Sequence, residues 1–116
     1  VIGEAYGSAY VTMNSKSIGA DIVYAWPDAK IGMMDAAAAV KIMYAEEISA
    51  SDKAAALISE KAAEYEALQS SAAAAAGRGY VDDIIKADET RQRVIAAFEM
   101  LFTKREGRPS RKHGTV

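Results

Sequence analysis

The chain of 116 residues has no cysteine and a single histidine, His113. The absence of cysteine excludes a disulfide framework, cysteine-ligated zinc and a thiol nucleophile. One histidine excludes a histidine-rich metal site and a His-Glu-x-x-His helix. No run of 18 apolar residues occurs, so no membrane-spanning segment is expected. The first residues lack the basic and apolar regions of a signal peptide. The chain begins at Val1 in what reads as mid-strand, and a processed start or a fragment is the expectation. Bulky apolar residues are also scarce. Leu, Ile, Val and Phe together number 22, against 25 Ala. Such a low level is typical of disordered chains, but those carry high net charge, and here the formal net charge is −2. A thin core of closely approaching helices, needing outside surfaces to cover its apolar faces, is the better reading.

Charge is uneven. Residues 103–116 hold five basic residues and one acidic residue, a balance of +4, whereas the rest carries 9 basic and 15 acidic residues, or −6. A basic tail can bind phosphates. No aromatic residue accompanies these charges, so a solvated tail is preferred over a nucleic-acid arm.

Patterning alternates short strands with helices, an α/β arrangement. Strands are expected at 1–6, 22–25, 30–34 and 80–86. Helices are expected at 9–15, at 36–46 behind an Asp35 cap, at 53–68, at 70–79 and at 89–104 behind an Asp88 cap. Residues 48–52 read as a break, with Ser49 and Ser51 as caps. The last helix carries Val94, Ile95, Phe98, Leu101 and Phe102 as a strong apolar stripe. Residues 106–116 read as a basic irregular tail.

Familiar catalytic constellations are missing. His113 stands alone. Asp82 and Asp83 are adjacent, so on a strand they point to opposite faces and mark a strand entry rather than an acid–base pair. Gly7-Ser8-Ala9 is not the Gly-x-Ser-x-Gly nucleophile elbow, and Ser8 has no evident base. What remains is backbone. Small residues at a strand-to-helix turn let a ligand approach exposed N–H groups, which can donate to a developing oxyanion.

The segment Ala5-Tyr6-Gly7-Ser8-Ala9-Tyr10-Val11-Thr12-Met13-Asn14-Ser15-Lys16 resembles that of the carboxyltransferase subunits of biotin-dependent acyl-CoA carboxylases and decarboxylases. The resemblance continues through Gly19-Ala20-Asp21, Tyr24-Ala25-Trp26-Pro27, Arg78-Gly79-Tyr80-Val81-Asp82-Asp83-Ile84-Ile85, Glu89-Thr90-Arg91 and Arg111-Lys112-His113-Gly114. It implies a crotonase-like fold, with residues 1–116 forming the C-terminal portion of the second of two such domains. It implies carboxyl transfer between biotin and an acyl-CoA, by a longer chain of which this stretch alone is inactive. The implied oxyanion donors are the backbone amides of Ser8 and Ala9, with Gly7, Tyr10, Val11, Trp26 and Pro27 around the biotin. No metal is implied. Implied partners are a biotin carboxyl carrier protein, an upstream CoA-binding domain and further copies of the chain, in the cytoplasm. A decarboxylase subunit at a membrane, without direct insertion, also fits, and nucleic acid does not. Ser8 stands where the family usually has glycine. A backbone donor survives that change, but the side chain narrows the pocket. The competing readings are another crotonase-type hydratase or isomerase, for which Glu4 is the nearest acid–base candidate, and a non-enzymatic helical oligomerisation module.

Overall fold

The computed structural model describes residues 1–105 and 107. The expected tail, with His113, therefore lies outside the described residues apart from Gly107. Strand β1 (Glu4–Tyr6) runs straight into helix α1 (Gly7–Thr12). A 3₁₀ turn at Lys16–Ile18 leads to β2 (Tyr24–Ala25) and β3 (Lys30–Gly32). Helices α2 (Ala36–Met43), α3 (Ala45–Ala50) and α4 (Ala54–Tyr65) follow, and α4 winds into a π-helical turn, Glu66–Ser70. Helix α5 (Ala72–Gly77), strand β4 (Asp83–Ile84), a 3₁₀ turn at Ala87–Glu89 and helix α6 (Thr90–Leu101) complete the described chain.

The strands form two parallel pairs. In one, Glu4, Ala5 and Tyr6 of β1 lie opposite Lys30, Ile31 and Gly32 of β3. In the other, Tyr24 and Ala25 of β2 lie opposite Asp83 and Ile84 of β4. Between them sits a core of small residues: Ala20, Val23, Ala25, Ala29, Ile31, Ala72, Ala75 and Val81. Alanine lets α5 lie close to the strands, since Ala72 and Ala75, three apart on one face, are both buried. On α2, the buried Ala36, Ala39 and Val40 make the face that packs towards α4.

Capping explains several boundaries. The Asp35 carboxylate accepts from Ala38 N at 3.0 Å, the expected N-cap bond of α2. Ser71 does the same for α5 through Ala74 N at 3.2 Å. Other expectations are corrected. α1 starts at Gly7, two residues before the expected start, because the extended Tyr6 serves as N-cap. α2 stops at Tyr44, whose non-helical ψ of 29° breaks the expected 36–46 helix, and α3 then runs through much of the expected 48–52 break. Neither serine caps a helix start: within α3, Ser49 donates to Glu46 O at 2.8 Å, and Ser51 accepts from Lys53 N at 3.2 Å in the turn before α4, whose N-cap Lys53 makes no side-chain cap bond. The 80–86 strand contracts to Asp83–Ile84. Asp88 does not cap α6: it lies in the 3₁₀ turn, and Glu89 takes the N-cap position without a side-chain bond.

The α6 stripe does not reach a core within the described chain. Phe98 is 72% exposed and Phe102 81%. The helix is instead tied down along its polar side. Trp26 Nε1 donates to Thr90 Oγ1 at 2.9 Å, Arg93 pairs with Asp83 at 3.5 Å, and Lys104 pairs with Asp21. Among the described residues, no helix is long and apolar enough to cross a membrane.

Candidate functional site: the Gly7 turn and its cavity

Gly7 is the pivot between β1 and α1. Its φ of +56° lies in the left-handed region that favours glycine. A Cβ there would also sit 3.0 Å from the Met33 carbonyl oxygen. Conformation and space thus both require glycine. The chain turns from extended to helical in one residue, so the first amides of α1 have no acceptor within the helix. The Tyr6 side chain does not cap them. Ser8 and Ala9 carry two of these amides, and both residues are exposed. The carbonyls of this turn are occupied: Ser8 O accepts from Thr12 Oγ1 at 2.7 Å and Ala9 O from Met13 N at 3.1 Å.

Beside Gly7 lies a cavity of about 530 Å³. Tyr10 and Val11 from α1, Gly32 at the end of β3 and Met33 after it, Tyr65 and Gln69 at the π-helical turn, and Arg78 and Tyr80 after α5 contribute to its wall. The sequence-derived residues Gly7, Tyr10 and Val11 are thereby brought together. Ala9 lines a separate apolar groove with Val1, Ile2 and Met13. Trp26 and Pro27 are not on the Gly7 cavity. The half-buried Trp26 anchors α6, and Pro27 lines another groove with Lys30 and Glu66. Residues 65–80 were not legible as wall, because only the π turn and α5 bring them to Gly7.

The wall is rich in donors. Tyr10 Oη is buried with no hydrogen-bond partner. Burial, then the proximity of Tyr80, raises the Tyr10 pKa above the usual phenol value, so the hydroxyl keeps its proton. Among the described residues, no Asp or Glu lines the cavity. Glu4 is exposed and faces Lys30 at 3.6 Å. Lys30 also pairs with Glu66 at 2.7 Å, tying β3 to the π-helical turn, and that hydrogen bond chiefly raises the Lys30 pKa. The Asp82–Asp83 pair is divided as its adjacency predicts. Asp82 binds Lys16 Nζ at 2.7 Å and accepts from Val23 N at 2.8 Å, whereas Asp83 faces Arg93. The Lys16 and Val23 bonds hold the Asp82 carboxyl below its usual pKa. Among the described residues, no group of three or more His, Asp or Glu could hold a metal ion.

Comparison with known proteins identifies the family. The carboxyl transferase domain family matches residues 1–116. The methylmalonyl-CoA carboxyltransferase 12S subunit of Propionibacterium freudenreichii subsp. shermanii is 43% identical over 114 residues, 98% of this chain and 22% of its own length. The methylmalonyl-CoA decarboxylase subunit alpha of Propionigenium modestum is 46% identical over 113 residues, 97% of this chain and 22% of its own length. A transcarboxylase 12S crystal structure, a hexamer with methylmalonyl-coenzyme A and methylmalonic acid bound, superimposes with a TM-score of 0.89 at 43% identity. It covers 99% of this chain and 22% of the solved one. This chain spans about a fifth of the length of the curated relatives it matches, and its fold is part of a crotonase-like domain. The chain belongs to the carboxyl transferase domain family.

Proposed function

We propose that the intact protein transfers a carboxyl group between biotin and an acyl-CoA, with residues 1–116 as the C-terminal portion of its second carboxyltransferase domain. The observation that carries this reading is the left-handed Gly7, which opens a strand directly into a helix beside a 530 Å³ cavity. Carboxyl transfer develops negative charge on oxygen, and rigid backbone donors stabilise such charge without reorganising. The Ser8 and Ala9 amides are the donors in this reading, and Gly7 sets their direction. Gly7, Tyr10 and Val11 supply the adjoining wall. Biotin, when bound, carries the carboxyl group on a ring nitrogen and delivers it from a carrier protein. The cavity suits such a group, because apolar Val11, Ile31 and Met33 lie alongside the polar Tyr65, Gln69 and Tyr80. The acyl-CoA is taken to bind chiefly to an upstream domain, with further copies of the chain completing the assembly in the cytoplasm.

The hydratase or isomerase alternative needs a carboxylate at the reacting carbon, and the described residues of the cavity wall offer none. The discriminating experiment incubates the intact protein with carboxyl-labelled methylmalonyl-CoA or malonyl-CoA and free biotin. Label should appear on biotin. Enoyl-CoA hydration without any carboxyl transfer would contradict the proposal.

A further inference from the structure

We infer that Arg78 is a substrate-binding residue that receives the carboxylate of the carboxylated substrate at the Gly7 cavity, an inference that rests on the carboxyl-transfer reading. Among the described residues lining this cavity, Arg78 is the only one that carries charge. Lys16, Lys30, Lys61, Arg93 and Lys104 each face a carboxylate. Arg78 instead makes both of its hydrogen bonds to the neutral Gln69. Nη1 donates to Gln69 O at 3.0 Å, and Nη2 donates to Gln69 Oε1. These bonds orient the guanidinium without neutralising it. Of its five N–H donors, three have no partner among the described residues.

The Tyr10 ring belongs to the same wall, with its hydroxyl buried behind it, and Ser17, Tyr65, Gln69 and Tyr80 add neutral polar side chains. One cation with neutral donors, next to Val11, Ile31, Met33 and Ala75, suits a monoanionic carboxylate on an apolar group better than a phosphate dianion. Two carboxylates share this chemistry: that of a carboxylated acyl thioester and that carried on the biotin nitrogen.

The test measures equilibrium binding to the intact protein in two matched pairs, methylmalonyl-CoA against propionyl-CoA and N-carboxybiotin against biotin. Arg78→Met should weaken the carboxylated member of at least one pair by about 10- to 100-fold, the worth of a charge-assisted hydrogen bond, and leave its uncarboxylated partner within about 2-fold. The pair that responds identifies the source of the carboxylate. Arg78→Lys should restore part of the loss. Gln69→Ala, which keeps the cation and removes one of its anchors, should lose less than Arg78→Met. Equal weakening of both members of each pair, or no weakening in either, overturns the inference. Failure of the unaltered protein to transfer carboxyl groups would overturn the functional reading instead, independently of how Arg78→Met discriminates in binding.

Discussion

The Gly7 turn and helix α6 obey opposite rules. At Gly7 a single backbone conformation carries the meaning: a φ of +56°, a carbonyl 3.0 Å from where a Cβ would be, and amides left without helical acceptors. Side chains matter there mainly by being small. In α6 the backbone is ordinary and the side chains carry the pattern. Ile95, Phe98 and Phe102 keep helical spacing, yet all three are exposed. A short string of unusual small residues specifies its structure locally. An amphipathic stripe specifies that a face is apolar, and says nothing of what covers it.

The largest effect should follow from breaking the first region. Gly7→Ala places a Cβ against the Met33 carbonyl and forces a left-handed φ on a residue that disfavours it by about 1–2 kcal/mol. Relief of that strain shifts the Ser8 and Ala9 amides. Carboxyl transfer by the intact protein should fall by about 100-fold, as small misplacements at reacting centres do. Wild-type turnover in Gly7→Ala would show that this turn does not position donors.

The tether of α6 should respond more weakly, and in stability rather than in chemistry. Trp26→Phe removes the hydrogen bond to Thr90 while keeping most of the ring. A loss of about 1 kcal/mol in urea denaturation is expected, with carboxyl transfer unchanged once the protein is folded. A collapse of transfer in a folded Trp26→Phe protein would place Trp26 in the site and erase the distinction between the two regions.

The smallest effect concerns the ion pair that fixes the segment after α1. Lys16 and the Val23 amide hold the folded-state pKa of Asp82 below the ordinary aspartate value. Its contribution to stability is therefore present above about pH 4 and lost as pH falls through the lowered folded value. Both partners are more than three-tenths exposed, so the pair contributes at most about 1 kcal/mol. Asp82→Asn should lower stability at pH 7 and flatten its dependence below pH 4, as followed by denaturation at a series of pH values. An unchanged acid limb in Asp82→Asn would remove this assignment.

Much of the scaffold was legible because its signals are local. Asp35 before four alanines marks a helix start, and its carboxylate caps as expected. The strand–glycine–helix order around Gly7 was visible, although the helix begins two residues earlier because Tyr6 itself remains extended. Features that depend on distant partners were less visible. Tyr80–Val81 does not extend β4, because β2 offers only Tyr24 and Ala25 for pairing. Gln69 reaches the cavity through the π-helical turn, for which Glu66–Ser70 carries no sequence mark, and Arg78 through the end of α5. Trp26 and Pro27 adjoin each other in sequence but serve two places, an anchor for α6 and a separate groove.

The most direct test of the backbone-donor account is Ser8→Pro in the intact protein. Proline is tolerated in the first turn of a helix and removes one N–H without removing the turn. The account predicts a folded protein whose carboxyl transfer falls by about 100- to 1000-fold, the effect of losing one oxyanion donor. A folded Ser8→Pro protein with an unchanged transfer rate would contradict it.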